Sequence, residues 1–379
     1  MLKLQTTHNI IFEDSRRIGA LDDQSIDLVV TSPPYPMIEM WDDQFTKMNP
    51  DAGIYLKNGS YGKAFQSMHA ILDEVWCELY RVMKVGAVAC INIGDATRTI
   101  NNRFQLFANH SRIQNRFFEL GFDVLPLILW RKQTNAPNKF MGSGMLPAGA
   151  YVTLEHEYIL IFRKGPKRKF STAEEKHKRM LSSFFWEERN LWFSDLWDFK
   201  GARQETNNCQ LRNRSGAFPL ELPFRLINMY SVFGDTVLDP FIGTGTTAMA
   251  AMAAGRNSTG CEIDPGFFEP VKKRITGDPH VLNNYNLKRI KNHLEFVRNY
   301  NGIKGELKHT NSYFGFPVMT GQEKELKLAF VRTVEEQGDN CFKVTYFSDQ
   351  YIQSIDPGQL NIDQLTDDHG IQSTILFND

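Results

Sequence analysis

No apolar run in this chain reaches the ~18 residues that a membrane-spanning helix needs, so no such helix is predicted. The first eight residues, Met1 to His8, have no apolar stretch of signal-peptide length, so no secretory signal is expected. The five cysteines (77, 90, 209, 261 and 341) are scattered without a C-x-x-C pair, which argues against a disulfide framework and against a zinc site. They read as reduced thiols of a cytoplasmic protein, and no metal is expected. Repeats and low-complexity tracts are absent. Charge of one sign is lacking too: 43 bases against 44 acids leave a net −1, so any affinity for a polyanion must come from how charge is distributed. Two nucleotide signatures are also missing. No glycine-rich turn ends in Gly-Lys-Ser/Thr, and no three-glycine dinucleotide fingerprint is present. What remains is an ordinary globular composition, 42% hydrophobic and 23% charged, over 379 residues.

Two segments carry chemistry. The first is Ser32-Pro33-Pro34-Tyr35, directly after the apolar run Ile26 to Val30. That run reads as a buried strand, and the prolines end it. In a parallel sheet the carboxyl ends of the strands are where ligands bind. A proline has no N–H, so the carbonyls here stand as fixed acceptors beside the Ser32 hydroxyl. Tyr35 adds a flat aromatic face. Acceptors and a stacking face suit a planar ring bearing an exocyclic amino group.

The second segment lies about 200 residues later. Thr236 to Asp239 reads as another buried strand, followed by Pro240-Phe241-Ile242-Gly243-Thr244-Gly245-Thr246-Thr247 and an Ala-rich helical stretch to Gly255. Glycines at a strand-to-helix turn allow close approach of backbone to a ligand. The next strand, Ser258 to Asp264, contains Glu262, a carboxylate suited to ribose hydroxyls. The pattern fits a nucleoside ligand without a pyrophosphate.

Together these segments resemble the β class of DNA amino-methyltransferases, which use S-adenosylmethionine. The catalytic signature (D/N/S)-P-P-(Y/F/W) matches Ser32 to Tyr35, and the cofactor signature D-P-F-x-G-x-G-T-T matches Asp239 to Thr247. A third family stretch matches Ala217 to Ile227. The catalytic segment precedes the cofactor segment, which is the permuted order of that class. The resemblance covers roughly residues 8–275. It implies an α/β fold: a Rossmann-like S-adenosylmethionine-dependent methyltransferase sheet with an inserted target-recognition region and a small C-terminal appendage. It also implies roles. Ser32, Pro33, Pro34 and Tyr35 would be catalytic, and Asp14, Phe218, Pro219, Asp239, Pro240, Phe241, Gly243, Gly245, Thr246 and Glu262 would hold the cofactor. A serine in the first position implies cytosine N4 as the target, with adenine N6 as the alternative. An RNA or protein amine methyltransferase would share the cofactor half, but the large insertion between the two segments argues against it. The implied partners are double-stranded DNA and a restriction endonuclease of the same site, with the enzyme a monomer or homodimer.

The expected organisation is a catalytic half over 1–131, a recognition region over 132–213 with a sheet-completing strand at 155–162, a cofactor half over 214–304 and an acidic segment over 305–379. Short strands are predicted at 9–15, 87–93 and 123–130, the last with a bulge or edge at Pro126. Helices are predicted at 65–84, stopped by Gly86, and at 104–120; residues 42–63 read as a loop. His156 reads as structural. From Asn311 to Asp379 eleven acids face four bases, a net −7, so the rest of the chain carries +6. Eight bases crowd Arg163 to Arg179, and Arg163, Lys164, Lys167, Arg168, Lys169 and Arg203 are the expected phosphate contacts. The aromatics from Phe184 to Phe199 read mostly as a small core. The tail is expected to pack on the catalytic domain or to self-associate through Cys341 to Phe347.

Overall fold

The computed structural model describes residues 4–100, 102–132, 141–201, 218–338 and 340–365. Ten strands build one sheet: β1 (Gln5–Ile11), β2 (Ile26–Thr31), β3 (Met83–Ile93), β4 (Phe122–Arg131), β5 (His156–Lys164), β6 (Leu196–Asp198), β7 (Thr236–Asp239), β8 (Asn257–Cys261), β9 (Val331–Gly338) and β10 (Cys341–Tyr346). Their order across the sheet is β6-β4-β5-β3-β2-β7-β8-β1-β10-β9. Only β5 and β10 run against the common direction. Among the described residues the α-helices are α1 (Asp42–Met48), α2 (Pro50–Lys57), α3 (Tyr61–Val82), α4 (Asn109–Glu119), α5 (Ala173–Leu181), α6 (Trp186–Trp192), α7 (Glu221–Tyr230), α8 (Thr246–Ala254), α9 (Phe268–Ile275), α10 (His280–Lys304) and α11 (Asp349–Gln353).

Every residue of β2 is buried, as its mainly apolar run requires of a strand covered on both faces; the one acid, Asp27, is paired with Lys84 at 2.8 Å. From β2 the chain crosses through α3 to β3 on one side; from β7 it crosses through α8 to β8 on the other. The crossovers diverge between β2 and β7, and that divergence opens a crevice at the carboxyl ends of the two strands. Helix α8 is buried along its whole length, and small side chains allow it to sit close to the sheet. Left-handed glycines bound it, Gly245 at φ 84° and Gly255 at φ 72°.

Several local expectations are corrected. Residues 42–57 form α1 and α2 rather than a loop. Asn49 caps α2 by accepting from the Asp51 N–H, Pro50 starts it, and Phe45 and Ala52 are buried in the α3 core. Gly86 is not a helix cap. It lies within β3 at φ 87°, where a Cβ would stand 2.7 Å from the Arg168 backbone nitrogen, so the chain leaving β5 needs a glycine there. The segment read as one helix over 104–120 opens instead as a ribbon, Ala96–Ile100 paired with Arg103–Phe107, before α4. The first strand lies earlier than expected, ending at Ile11. Pro126 sits at a register shift between β4 and β5.

The C-terminal segment continues the same sheet. β10 pairs antiparallel with β1, from Gln5 opposite Thr345 to Asn9 opposite Cys341. Phe342, Val344 and Tyr346 are buried in the main core. The Tyr346 hydroxyl donates 2.9 Å to the Met252 carbonyl of α8, binding the tail to the helix that follows the glycine loop. The run Thr374 to Phe377 lies outside the described residues. Phe185, Leu287, Phe316, Phe330 and Ile352 belong to a third, smaller core beneath this segment. Phe342→Ala is expected to destabilise the protein by about 3–5 kcal/mol through the cavity it leaves, read as a lower urea midpoint with an unchanged slope. A loss below about 1 kcal/mol would mean that the tail contributes little to the core.

Candidate active site

Five neighbouring parallel strands, β3, β2, β7, β8 and β1, bring their carboxyl ends to one edge. The loops that follow them carry Gly94, Ser32 to Tyr35, Pro240 to Gly245, Glu262 and Asp14. Helices α3 and α7 feed the amino ends of β3 and β7. Their own amino ends, with Lys63 near one and Phe218 and Pro219 near the other, therefore lie at this edge too.

Asp239 is the centre of the arrangement. It ends β7 and is 2% exposed. Thr31 of β2 donates 2.5 Å to one carboxylate oxygen and Thr247 of α8 donates 2.6 Å to the other. The Phe241 N–H adds a third bond at 3.0 Å. The carboxylate expected to hold a ligand is thus engaged by the protein, and it ties the Ser-Pro-Pro-Tyr strand to the glycine loop. Burial raises its pKa from 3.8 to about 6, against the pull of these bonds.

The glycine loop is held from several sides. The Gly243 N–H donates 3.1 Å to Glu262, whose other oxygen accepts from the Asp264 N–H at 3.0 Å. Burial raises the Glu262 pKa, partly offset by these backbone bonds. Arg274 of α9 donates 2.7 Å to Thr244 and 3.0 Å to Thr246, so the Thr246 hydroxyl is buried against a guanidinium rather than open to a ligand. The Ser15 hydroxyl donates 2.5 Å to the Pro240 carbonyl. Arg274 and Ser15 escaped sequence reasoning because they anchor the loop from distant positions. Gly243 itself stands at φ 51°, and a Cβ there would meet only the Phe241 carbonyl, 3.9 Å away. Open space over left-handed backbone is what close ligand approach requires. Asp14 follows β1 and accepts from Arg16 through both oxygens, at 2.9 and 2.7 Å to Oδ2. Burial alone would raise its pKa, but the Arg16 bonds outweigh it and hold the carboxyl low.

Ser32, Pro33, Pro34 and Tyr35 follow β2 directly. Asn109 holds the loop by donating 3.0 Å to the Pro36 carbonyl and 2.9 Å to the Gly94 carbonyl; Arg98 donates 2.6 Å to the Met37 carbonyl. The Tyr35 hydroxyl lies 3.0 Å from Ser32 Oγ, donates 3.0 Å to Glu157 and accepts from Asn92 at 2.9 Å. Lys132 pairs with the other Glu157 oxygen. Asn92, Lys132 and Glu157 were not singled out from the sequence. The only signal was a charged residue at the start of an otherwise apolar strand. His156 packs edge-on against Tyr158, 4.9 Å between ring centres, away from these hydroxyls.

The expected phosphate contacts lie elsewhere. β5 runs against its neighbours, with Arg163 opposite Val88 and Tyr158 opposite Ile93, so only its amino end reaches the active edge. Lys164 is buried, donating 2.5 Å to the Tyr80 carbonyl and 2.8 Å to the Met83 carbonyl at the opposite edge. Arg168 pairs with Asp235 at 2.6 Å and Arg163 with Asp123 at 2.6 Å. Lys167 and Lys169 are exposed in the same stretch. Five of the six expected contacts therefore sit at the far end of the sheet, where Arg168 compensates buried acids. Arg203 lies outside the described residues. Of the aromatics, Phe185, Trp192 and Trp197 are buried, while Trp186 and Phe193 are exposed.

Comparison with known proteins agrees with this layout. Residues 26–273 match the family described as DNA methylase. The type II methyltransferase M.MthZI of Methanothermobacter thermautotrophicus is 50% identical over 345 residues, covering 90% of this chain and 96% of that one. M.MjaI of Methanocaldococcus jannaschii is 47% identical, covering 72% and 93%. A Thermus thermophilus protein solved in complex with S-adenosyl-L-methionine superposes with a TM-score of 0.55 at 31% identity, covering 70% of this chain and 92% of that one. The chain belongs to the DNA methylase family of N4/N6 amino-methyltransferases.

The Asp239 carboxyl yields a pH prediction. Its pKa of about 6 lies above the unfolded 3.8, so the folded protein binds this proton more tightly than the unfolded chain does. The stability it confers is complete below about pH 4 and is lost as pH rises to about 6, a change on the order of 3 kcal/mol. The difference in unfolding free energy between wild type and Asp239→Asn should follow that curve. A difference constant from pH 4 to pH 8 would refute it.

Proposed function

We propose that this enzyme transfers a methyl group from S-adenosyl-L-methionine to N4 of a cytosine swung out of double-stranded DNA. The observation that carries the reading is the Ser32 hydroxyl beside the Pro-Pro loop, joined through Thr31 and Asp239 to the glycine loop of the neighbouring strand. The open backbone at Gly243, with Glu262 beneath it, fits a nucleoside cofactor carrying ribose hydroxyls. When bound, the cofactor supplies an electrophilic methyl group on a sulfonium.

An exocyclic amine on a base is a poor nucleophile because its lone pair is delocalised into the ring. Ser32 Oγ and the Pro33 carbonyl accept the two amine hydrogens, which favours a tetrahedral nitrogen and turns its lone pair towards the glycine loop. Tyr35 borders the extruded base, which must leave the duplex to expose its amine edge. The loop anchors Asn109 and Arg98 hold this geometry, so positioning supplies much of the rate. The preference for N4 over adenine N6 rests on resemblance to family members with serine in the first position, and a neutral hydroxyl, a weaker acceptor than a carboxylate, is compatible with the more electron-rich cytosine amine. The relatives' names as type II methyltransferases support a cognate restriction endonuclease as a functional partner.

DNA phosphates are assigned to a different basic surface. Gly59 to Lys63, Arg98, Arg103 and Gln105 line a cavity of about 370 Å³ at the active edge, with Lys63 and Arg103 exposed.

Two measurements test the proposal. Mass spectrometry of nucleosides from methylated DNA should detect N4-methylcytosine, and Ser32→Ala should lower the single-turnover rate roughly 10²-fold with cofactor affinity retained. N6-methyladenine would reassign the base; full activity in Ser32→Ala would refute the role of the loop. Lys63→Gln combined with Arg103→Gln should flatten the slope of log K against log salt by about 0.9 for each phosphate no longer neutralised. An unaltered slope would remove this surface from the DNA interface.

A further inference from the structure

The bond network behind Ser32 has a direction. Three donors converge on Glu157: Lys132 on Oε1, and the Tyr35 hydroxyl and Asn92 Nδ2 on Oε2, the last two at 3.0 and 2.7 Å. A carboxylate in that position only accepts. The single Tyr35 proton is therefore directed to Glu157. Burial, then the charge of Glu157, raises the Tyr35 pKa well above its ordinary value, so that proton stays in place. Asn92 is 2% exposed and donates through Nδ2 to both Tyr35 and Glu157, leaving its buried Oδ1 without a partner. Ser32 Oγ lies 3.0 Å from a tyrosine oxygen whose proton is already engaged, so the bond between them forms only with Ser32 as donor. The serine proton then points inward and its lone pairs face out.

We propose that Glu157, resting on the reading above, is a positioning residue that sets the donor direction of the chain Ser32–Tyr35–Glu157, so that Ser32 meets the substrate amine as an acceptor. A serine free to rotate would present its proton to an amine hydrogen for part of the time and forgo the bond on which nitrogen rehybridisation depends. Gly94 makes the arrangement possible, since a Cβ there would lie 3.0 Å from the Tyr35 ring and 3.4 Å from Glu157 Cγ.

Glu157→Gln keeps shape and size but places an amide donor opposite Tyr35. The tyrosine proton is then released towards Ser32, and the serine proton turns outward. Single-turnover methyl transfer to DNA should fall about tenfold or more, with S-adenosylmethionine affinity and 2-aminopurine fluorescence on base extrusion unchanged. In a Tyr35→Phe background, where no relay remains, the same change should cost less than about twofold. Glu157→Asp retains an acceptor and should keep most of the rate. An equal loss from Glu157→Gln with and without the Tyr35 hydroxyl overturns the proposal, as does a loss in Glu157→Asp as large as in Glu157→Gln. A wild-type enzyme that transfers no methyl to DNA overturns the functional reading and this inference with it; an active wild type without the coupling overturns the inference alone.

Discussion

A single carboxylate joins the two halves of this site. Asp239 accepts from Thr31 on the strand that ends in the Ser-Pro-Pro-Tyr loop and from Thr247 on the helix that follows the glycine loop. The two segments are about 200 residues apart in sequence, yet one side chain links them. Methyl transfer between two bound molecules depends on their relative position to fractions of an ångström. A buried, fully bonded carboxylate is a rigid connector, because losing any partner leaves a charge without compensation in a low-dielectric interior. Its raised pKa is the electrostatic trace of that burial.

Around this connector the protein anchors each loop from behind with a polar side chain. Arg274 holds Thr244 and Thr246, Ser15 holds the Pro240 carbonyl, and Asn109 holds Pro36 and Gly94. None of these groups needs to touch a ligand. They remove conformational freedom from these loops, and ordering a loop in advance lowers the entropy cost of any binding to it. The C-terminal strands extend the same principle. β10 covers the edge of β1 and Tyr346 bonds to α8, so the acidic segment supports the cofactor side without adding a basic surface.

Strand direction decides what the antiparallel strand contributes. β5 enters the sheet at the active edge and leaves at the opposite one. Its first residues therefore put Glu157 behind Tyr35, while its last residue, Lys164, meets carbonyls at the far edge and Arg168, just beyond the strand, meets acids there. Within the dense run of bases, Arg168 compensates buried acids and Lys164 meets carbonyls while Lys167 and Lys169 stay exposed, whereas a lone glutamate beside a histidine meets the Tyr35 hydroxyl.

What the sequence determined by itself was local and periodic. Mainly apolar runs marked β2, β3 and β7, because a strand buried on both faces admits few polar residues. Proline pairs and glycines marked the loops after β2 and β7, because those backbones admit few other residues. The two loops were legible for that reason. What only the tertiary structure decided was everything that depends on which groups meet across the sheet. That includes the inward turn of Asp239, the Arg274 contact that buries Thr246, the helices over 42–57, and the convergence of Ser32, Tyr35, Asn92, Lys132 and Glu157. Composition records that a charge exists; its partner is set by strand order and direction, and these follow from the packing of the whole core.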